Sequence, residues 1–362
     1  MKILFWVPYP SEGQSNRFRV EQYLPYLRKK GIAYSLNPFW ESEVYKILYE
    51  NGHYLKKTYY FIRGTINRIR DLVNLSDYDL VFVHREAYPV GGAFLEKIAF
   101  SKKPIIYDFD DSVFLPTHSS ANRIMHWLKK PRKITNILKM SAAIIAGNNY
   151  LKEYAMQYNK NTAVIPTLID TGKYSPAKDA PGNNHKVIVG WIGSYTNNQY
   201  LNMVRTPLLD LINKYGDSIE IRLIGCRNNF LNIPGITYCN WSLSTEINEL
   251  QGFDIGIMPI WDDDWTRGKC AFKIVQYMSV GASVVASPVG VNKEIIKDGV
   301  NGFFAANEKE WFEKLCLLIE NPQLRRKFAL EGRHTVEKEY SLELVASKFI
   351  DVLERVYEDK RK

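Results

Sequence analysis

The sequence has few cysteines, and their spacing indicates neither a metal site nor disulfide bonds between them. In a chain of 362 residues the four lie far apart, with no C-x-x-C pair and no neighbouring histidine cluster: Cys226, Cys239, Cys270 and Cys316. Disulfide frameworks and zinc sites depend on closely repeated Cys and His residues. We therefore expect reduced, mostly buried cysteines and neither kind of site.

Long hydrophobic runs are absent as well. No stretch reaches the roughly 18 uncharged apolar residues that a membrane-spanning helix needs. The first residues, MKILFWVPYP, follow a strand pattern and lack the features of a cleavable leader. These absences predict a protein that stays in the cytoplasm.

Several common catalytic and nucleotide-binding motifs do not occur. The chain contains no G-x-G-x-x-G, Walker A loop, H-E-x-x-H or G-x-S-x-G. Their absence argues against nicotinamide enzymes, P-loop NTPases, zincins and α/β-hydrolases.

The chain does contain a repeated alternation of short apolar strands with longer helical patterns. Hydrophobic residues make up 46% of it, enough for two cores. Strands are predicted at 3–7, 80–84, 104–109, 142–146 and 163–166, and then at 187–192, 219–224, 235–238, 254–258, 283–286 and 302–304. This alternation predicts an α/β chain of two doubly wound, Rossmann-like domains with parallel sheets. The predicted domains are 1–174 and 175–340, followed by a helix over 341–362 that packs back toward the first domain.

The net charge of +9 lies entirely in the first half of the chain. Residues 1–170 carry 24 Lys and Arg against 15 Asp and Glu, whereas the rest carry 24 of each. Basic and apolar residues interleave over Arg123–Lys139, which includes Trp127, and again over Lys56–Arg70. This pattern suits a helix lying on the anionic inner face of a membrane, and a merely soluble basic domain is the alternative. No RNA-binding motif is present, so we expect no nucleic-acid partner.

The segment from Phe253 to Phe304 carries the most specific pattern. It reads FDIGIMPIWDDDWTRGKCAFKIVQYMSVGASVVASPVGVNKEIIKDGVNGFF, which predicts strand, charged loop, helix, strand, glycine loop, short helix and strand. This order resembles the donor-binding half of glycosyltransferase family 4, the retaining enzymes of GT-B fold, and especially a branch that makes bacterial surface polysaccharides. The resemblance implies two Rossmann-like domains facing across a cleft, with a nucleotide diphosphate sugar bound by the second.

The family's two glutamates, eight positions apart, are replaced here by Gly268 and Gln276. The polysaccharide branch is similar in reading aspartate, tryptophan and Gly-Lys, with a second lysine four residues on. The resemblance implies that the Gln276 amide meets the ribose of the donor, and that residues 262–264, all aspartates, are candidates to meet its sugar. The alternative for Gln276 is a helix glutamine bonded to neighbouring backbone.

Lys269 and Lys273 are the predicted phosphate-binding residues. Four residues apart on the first turns of one helix, they would place both ammonium groups on the same side, where the helix N-terminus adds N–H groups. Such a site stabilises a departing nucleoside diphosphate without a metal, so we expect no cofactor. The alternative is a solvated helix face. The rest of the predicted donor site consists of Gly193, Ser194, Gly290 and Val291.

Three carboxylates lie at the end of the strand at 104–109 and just after it, where the resembling family commonly has a histidine. Asp108, Asp110 and Asp111 could position an acceptor hydroxyl or stabilise positive charge at the sugar, and like-charge repulsion could raise the pKa of one of them. We expect Asp110 and then Asp108 to be catalytic, together with Lys273, and Asp111 to contact the acceptor. The alternative is a turn that only caps the next helix.

Two further loops complete the predicted acceptor side. Arg85 and Glu86 end the strand at 80–84 and either contact the acceptor or form an ion pair with each other. In the family the first loop approaches the donor phosphates, and Gly13 would permit a close backbone approach. Arg17 would contact a phosphate of donor or acceptor, unless it is a surface arginine.

The resulting prediction is a retaining glycosyltransferase of hexosyltransferase type, peripheral on the inner face of the cytoplasmic membrane. It would move a sugar from a nucleotide diphosphate sugar to a saccharide or lipid-linked acceptor in polysaccharide or lipopolysaccharide biosynthesis. Retention follows from the resemblance, because no residue reads as a nucleophile. The alternatives are a sugar-nucleotide epimerase of the same fold and a non-catalytic module that binds nucleotide sugars or membranes.

Overall fold

The computed structural model describes residues 1–115, 132–177 and 186–360. The chain divides into two compact units. Unit 1 comprises Met1–Thr167 and Val345–Lys362, and unit 2 comprises Leu168–Leu344.

Unit 1 contains a six-stranded parallel sheet with the strand order β2-β1-β3-β4-β5-β6. The strands are β1 (Lys2–Val7), β2 (Ala33–Pro38), β3 (Leu80–His84), β4 (Ile105–Phe109), β5 (Ala143–Ala146) and β6 (Thr162–Val164). The described helices are α1 (Gln14–Arg19), α2 (Leu24–Lys29), α3 (Ser42–Tyr45), α4 (Tyr54–Val73), α5 (Phe94–Phe100), α6 (Lys133–Met140) and α7 (Asn149–Met156).

The central strands of unit 1 are buried at every position. This holds for β3, β4 and β5, which explains why each is mostly apolar, with His84 in β3 and Asp108 in β4 as the polar exceptions. The edge strand β2 was not predicted, because its sequence AYSLNP mixes polar residues with a proline. An edge strand tolerates both, since one of its sides needs no partner strand and its faces are only partly covered.

Unit 2 contains a second six-stranded parallel sheet, in the order β12-β11-β10-β7-β8-β9. Its strands are β7 (Val187–Ile192), β8 (Ile219–Ile224), β9 (Ile236–Cys239), β10 (Ile255–Met258), β11 (Ser283–Ala286) and β12 (Phe303–Phe304). Its helices are α8 (Arg205–Tyr215), α9 (Glu246–Gln251), α10 (Asp264–Arg267), α11 (Phe272–Ser279), α12 (Asn292–Ile295), α13 (Glu308–Glu320) and α14 (Pro322–Glu339). The strands predicted for both halves are present within a few residues of their predicted bounds.

The last described helix, α15 (Leu342–Asp359), belongs mainly to unit 1. Its Phe349 ring stacks on Tyr23 with centroids 4.1 Å apart and lies 5.4 Å from the ring of Phe82. These contacts bury the apolar side of the helix against the sheet of unit 1.

Each sheet has one point where the strand order reverses, between β1 and β3 in unit 1 and between β7 and β10 in unit 2. Loops at the carboxyl ends of the strands diverge there, and open α/β sheets bind ligands at such points. In unit 2, Gly190 and Gly256 are directly paired across this boundary. Their missing side chains leave room for the rings of Phe253 and Tyr277, which pack over them.

Candidate functional site

The loop after β7 lies at the point of strand reversal in unit 2. Gly193 donates a backbone hydrogen bond to Ile224 over 3.0 Å, and its own carbonyl oxygen lies against Gly225. A Cβ atom at Gly225 would overlap that oxygen, and Gly225 has φ +71°, so glycine is needed there on both counts. Ser194, which follows, is exposed. The loop therefore presents backbone and small polar groups at the sheet edge.

Both predicted phosphate-binding lysines lie near the end of β7, Lys273 against a ring of the strand itself and Lys269 against the loop that follows. The Lys273 ammonium lies 5.3 Å from the centre of the Trp191 ring. The Lys269 ammonium lies 3.4 Å from Oδ1 of Asn197 and 5.8 Å from the Tyr200 ring. The Trp191 ring packs beside Gly193, so two positive charges lie at the end of β7 and the loop that follows it.

The prediction that both lysines lie on one helix is wrong. Helix α11 begins at Phe272, so Lys273 is in its first turn, whereas Lys269 lies in the connection from α10. Between them Ala271 has φ +51°, a left-handed backbone conformation that residues other than glycine rarely adopt. This bend, rather than helical periodicity, sets the spacing of the two ammonium groups. Strained backbone of this kind is concentrated at functional sites.

The glycine loop after β11 packs against the turn that carries Lys269. Gly290 has φ +51°, and a Cβ atom there would lie 3.1 Å from the carbonyl oxygen of Arg267. Val291, next in the chain, is buried and precedes α12. The structure thus brings together Gly193, Ser194, Lys269, Lys273, Gly290 and Val291 on the loops and helix ends at one edge of the sheet.

Gln276 lies below that edge, in a buried polar network. Its Nε2 donates to Oε1 of Glu246 over 3.3 Å. The same carboxylate accepts a 2.6 Å bond from the Tyr174 hydroxyl and, at Oε2, a 2.7 Å bond from Nε1 of Trp241. Gln276 and Glu246 are at most 1% exposed. The network fixes the amide of Gln276 relative to α9.

The three aspartates after β10 are engaged with their own segment. Asp263 caps α10 by accepting from the backbone N–H of Thr266 over 2.7 Å. Asp262 and Asp264 both bond Arg267, at 2.7 and 3.3 Å. These contacts organise the approach to the Lys269 turn.

In unit 1, Asp108 at the end of β4 is fully buried between Arg19 and His84. The Arg19 guanidinium binds both of its carboxylate oxygens, and Nδ1 of His84 lies 2.6 Å from Oδ2. Arg19 also donates to the carbonyl oxygen of Ile165 over 2.6 Å. These bonds tie α1, β3, β4 and the end of β6 together.

Asp110 and Asp111 share a single arginine. Nε of Arg85 bonds Asp110 and Nη2 bonds Asp111, each over 2.7 Å. Nε2 of His84 lies 4.0 Å from Oδ1 of Asp110. Arg85 has φ +58°, and its carbonyl oxygen accepts from the Tyr107 hydroxyl over 2.7 Å. The strained turn aims the guanidinium at both carboxylates.

The prediction of a raised pKa by like-charge repulsion is wrong for Asp110. Burial alone would raise the pKa of this carboxyl, but the opposing charges of Arg85 and His84 and the Arg85 hydrogen bond hold its pKa well below the usual range. Burial likewise opposes the charge of Arg85, yet Asp110 and Asp111 raise its pKa well above the ordinary value. Asp110 is therefore a permanently ionised hydrogen-bond acceptor near neutral pH.

The first loop of unit 1 lies beside this cluster. Gly13 precedes α1, and a Cβ atom there would lie 2.5 Å from Cβ of Tyr9, so the loop folds closely on itself. Arg17 is half-buried, with its guanidinium 4.9 Å from the centre of the Phe18 ring.

Glu86 pairs with Lys133 rather than with Arg85. Its Oε2 lies 3.2 Å from the Lys133 ammonium, which also donates to the carbonyl oxygen of Tyr88. Lys133 belongs to the predicted membrane-binding segment Arg123–Lys139, of which residues 123–131 lie outside the described part of the chain. In the described part the prediction is wrong, because the apolar side chains of α6 and Lys133 itself are buried in unit 1: Ile134, Ile137 and Leu138.

Across residues 1–115, 132–177 and 186–360, no group of three or more His, Cys, Asp and Glu side chains is arranged to hold a metal ion. The four cysteines are free, and only Cys239 is partly exposed. Within the same ranges, no helix combines the length and apolar character needed to cross a membrane.

The sequence of residues 186–321 matches the family model described as Glycosyl transferases group 1. Residues 186–321 form a glycosyltransferase group 1 domain. This group 1 domain includes β7 to β12 and all of α11, and therefore the whole edge that carries Lys269 and Lys273.

Comparison with whole proteins extends the likeness beyond the group 1 domain. An uncharacterized glycosyltransferase of Methanocaldococcus jannaschii is 21% identical over 303 residues, which cover 77% of this chain and 76% of that protein. HepE of Anabaena, solved with UDP-glucose, superposes with a TM-score of 0.71 at 16% identity over 98% of this chain and 100% of its own. Sucrose-phosphate synthase of Thermosynechococcus elongatus superposes with a TM-score of 0.70 at 12% identity, over 99% and 100% of the two chains. The fold is GT-B, as predicted.

Sequence reasoning left His84 and Glu246 unassigned. His84 is the last residue of a strand that is buried throughout, and a polar residue in that position signals a partner at the sheet edge. Glu246 begins a short helix of mostly polar sequence, and the residues around it in the chain do not indicate that it is buried.

Proposed function

We propose that the protein is a retaining glycosyltransferase of hexosyltransferase type, which transfers a sugar from a nucleotide diphosphate sugar to a saccharide or lipid-linked acceptor. The observation that carries the proposal is that Lys269 and Lys273 both lie at the end of β7 and the loop that follows it, at the strand reversal of the group 1 domain. A diphosphate bound there would meet two ammonium groups and the N-terminus of α11.

The chemistry assigned to this edge is stabilisation of the leaving group. When the bond between the anomeric carbon and the diphosphate breaks, negative charge develops on the diphosphate oxygens, and fixed positive charges there lower the barrier. Lys269 and Lys273 supply that charge, so we propose that the reaction needs no metal. Gly193, Ser194 and Gly290 would line the diphosphate and sugar with backbone and small polar groups.

Gln276 contributes to this site in our proposal through its fixed amide. The hydrogen bond to Glu246 sets the orientation of the amide, and the family resemblance assigns its position to the ribose. Contact with a ribose would require a small opening of the buried network, because Gln276 is fully buried.

Acceptor binding is assigned to the edge of unit 1. Asp110, held ionised by Arg85, is suited to accept a hydrogen bond from an acceptor hydroxyl and orient it. Asp111 and Arg85 would contact the same acceptor, with Arg17 beside them. We assign Asp108 a bracing role, because its oxygens are already bonded to Arg19 and His84.

The stereochemistry and the pathway rest on family likeness. The sequence resembles retaining enzymes of surface-polysaccharide assembly, and HepE of Anabaena was solved with UDP-glucose. We therefore propose retention of configuration, a nucleotide diphosphate sugar donor, and a role in polysaccharide or lipopolysaccharide biosynthesis. The basic excess of the first 170 residues supports peripheral binding to the inner face of the cytoplasmic membrane.

The test is incubation of the purified protein with UDP-, GDP- and dTDP-sugars, with and without oligosaccharide or lipid-linked acceptors and with EDTA. Nucleoside diphosphate release and the new glycosidic linkage are measured by mass spectrometry and proton NMR. We expect transfer or slow hydrolysis of one donor, with the anomeric configuration retained and no effect of EDTA.

A matched pair of lysine variants connects activity to the site. Lys273→Ala should lower turnover by about 10- to 100-fold, the loss expected for one charge-assisted contact. Lys314→Ala is the control, because Lys314 makes the same kind of cation–ring contact, with Phe303, elsewhere in unit 2. Interconversion of sugar nucleotides without transfer would instead identify an epimerase, and binding without any turnover a non-catalytic module.

A further inference from the structure

The outer face of helix α4 carries a continuous apolar stripe that is exposed to solvent. Its members are 44% to 90% exposed and follow one another at alternating intervals of four and three residues: Leu55, Tyr59, Ile62, Ile66, Ile69 and Val73. That spacing places all six on one side of the helix. Large apolar side chains in a contiguous exposed patch mark an interaction surface.

We propose that this stripe docks the protein onto the surface of an anionic lipid bilayer. The proposal deepens the membrane component of the proposed function. It moves the main contact from Arg123–Lys139 to α4, which contains the second predicted basic stretch, Lys56–Arg70. The helix would lie in the plane of the interface with the stripe inserted among the lipid headgroups and upper acyl chains.

The opposite face of α4 already anchors the helix to unit 1, so the stripe is not needed for folding. Arg68, fully buried, donates to the carbonyl oxygens of Ala87 over 2.9 Å and Val7 over 3.0 Å. Gly64 lies so close to Phe39 that a Cβ atom would be 2.6 Å from its carbonyl oxygen. The outer side chains therefore stay exposed while the inner face remains fixed.

Charge beside the stripe favours an anionic surface. Lys56, Arg63 and Arg70 are exposed and seven residues apart, which aligns them along one flank of the stripe. Lys56 and Arg63 also contact Glu43 and Glu41, at 3.8 and 2.9 Å, and these exposed pairs are weak enough to exchange for lipid phosphates. The surplus of nine basic residues over residues 1–170 adds a longer-range attraction.

A second copy of the chain fits the stripe less well. A helix of 20 residues is about 30 Å long and about 10 Å wide, so two stripes face to face would bury on the order of 600 Å². A stable protein interface usually exceeds about 1,000 Å². A bilayer needs no matching shape, because lipids adapt to the inserted side chains.

The experiment is co-sedimentation of the full chain with vesicles of phosphatidylcholine alone or with about 30% phosphatidylglycerol. The main variant replaces the middle of the stripe: Ile62→Ser, Ile66→Ser and Ile69→Ser. Each side chain is about half exposed, and the loss of three inserted apolar side chains should lower the vesicle partition coefficient on the order of 100-fold. A second variant, Lys56→Gln, Arg63→Gln and Arg70→Gln, should weaken binding about tenfold or more in low salt and much less in high salt.

Two control variants in unit 2 match these changes. Leu317→Ser, Leu330→Ser and Leu344→Ser removes three exposed apolar side chains, each at least 42% exposed. Lys309→Gln, Arg326→Gln and Lys327→Gln removes three exposed positive charges. Both should bind the anionic vesicles as the wild type does. Circular dichroism checks that each variant is folded. If the variant with Ile62, Ile66 and Ile69 replaced does not fold, Leu55→Ser, at the most exposed position of the stripe, takes its place.

The proposal is overturned if the wild type fails to bind anionic vesicles or if the stripe variant binds equally well. It is also overturned if the wild type is a dimer that the stripe variant converts to a monomer, since the occupant would then be a second copy. Nucleotide-sugar binding measured without vesicles should be the same in all variants. Vesicle binding without any nucleotide-sugar binding would instead refute the glycosyltransferase proposal and leave the docking surface intact.

Discussion

Replacing Asp108 by asparagine should destabilise unit 1 far more than the same change at Asp110. Asp108 is bonded to Arg19 and His84 and has a side chain only 1% exposed, whereas that of Asp110 is 11% exposed. The asparagine keeps the size of the side chain and removes its charge. The Arg19 guanidinium would then remain buried without its carboxylate.

The expected cost follows from that stranded charge. Removing one partner of a buried ion pair typically costs about 3–5 kcal/mol, because the other charge stays out of water. The bond from Arg19 to the carbonyl oxygen of Ile165 remains and holds the guanidinium in place rather than letting it reach solvent. Asp110→Asn leaves Arg85 bonded to Asp111 and should cost no more than about 1–2 kcal/mol.

Urea unfolding followed by circular dichroism measures both losses, and hydrogen–deuterium exchange locates them. Peptides of β4 and β6 should exchange faster in Asp108→Asn, while those of unit 2 should be unchanged. At temperatures where both variants are folded, Asp110→Asn should lose more transfer activity than Asp108→Asn. A stable Asp108→Asn protein without activity would refute this reasoning and assign Asp108 to the reaction itself.

Three further predictions concern other charges and turns. The folded-state pKa of Asp110 lies below its unfolded value of about 3.9, so its contribution to stability is complete above that pH and is lost as the pH falls further. The free energy of unfolding of Asp110→Asn should therefore fall less steeply than that of the wild type below about pH 4. Gly225→Ala should cost about 2–4 kcal/mol in urea unfolding, because the methyl group collides with a neighbouring carbonyl oxygen. Gly299 is the control: its φ of +72° matches the +71° of Gly225, but the space around it is open, so Gly299→Ala should cost only about 1 kcal/mol. Gln276→Glu restores the family residue but places a second carboxylate beside Glu246. We expect about 1–3 kcal/mol of destabilisation and no gain in activity. Adding Glu246→Gln should recover part of the lost stability.

The sheets were predictable because their central strands are buried on both faces. Runs such as Leu80–His84 and Ser283–Ala286 are apolar for that reason, and both appear as strands with the predicted bounds. Ala33–Pro38 escaped prediction because an edge strand is only partly covered, so its sequence need not be apolar. Burial decides how much of a strand its sequence reveals.

The sequence predicted which residues form the candidate site better than it predicted which residues they contact. The spacing of Lys269 and Lys273 placed both at one end of a helix, but the left-handed Ala271 puts them on two different elements. The partner of Asp108 is Arg19, 89 residues earlier in the chain, and no local pattern joins them. Contacts of this kind depend on the order of strands in the sheet.

The central claim is that a nucleoside diphosphate binds in the group 1 domain at Lys269 and Lys273. Its most direct test is calorimetric titration of the donor nucleotide, UDP first, into the wild type, Lys273→Ala and Lys314→Ala. Our account predicts that Lys273→Ala weakens binding by about 10- to 100-fold, with a weaker salt dependence, and that Lys314→Ala binds as the wild type does. Equal affinity of Lys273→Ala and the wild type would contradict it.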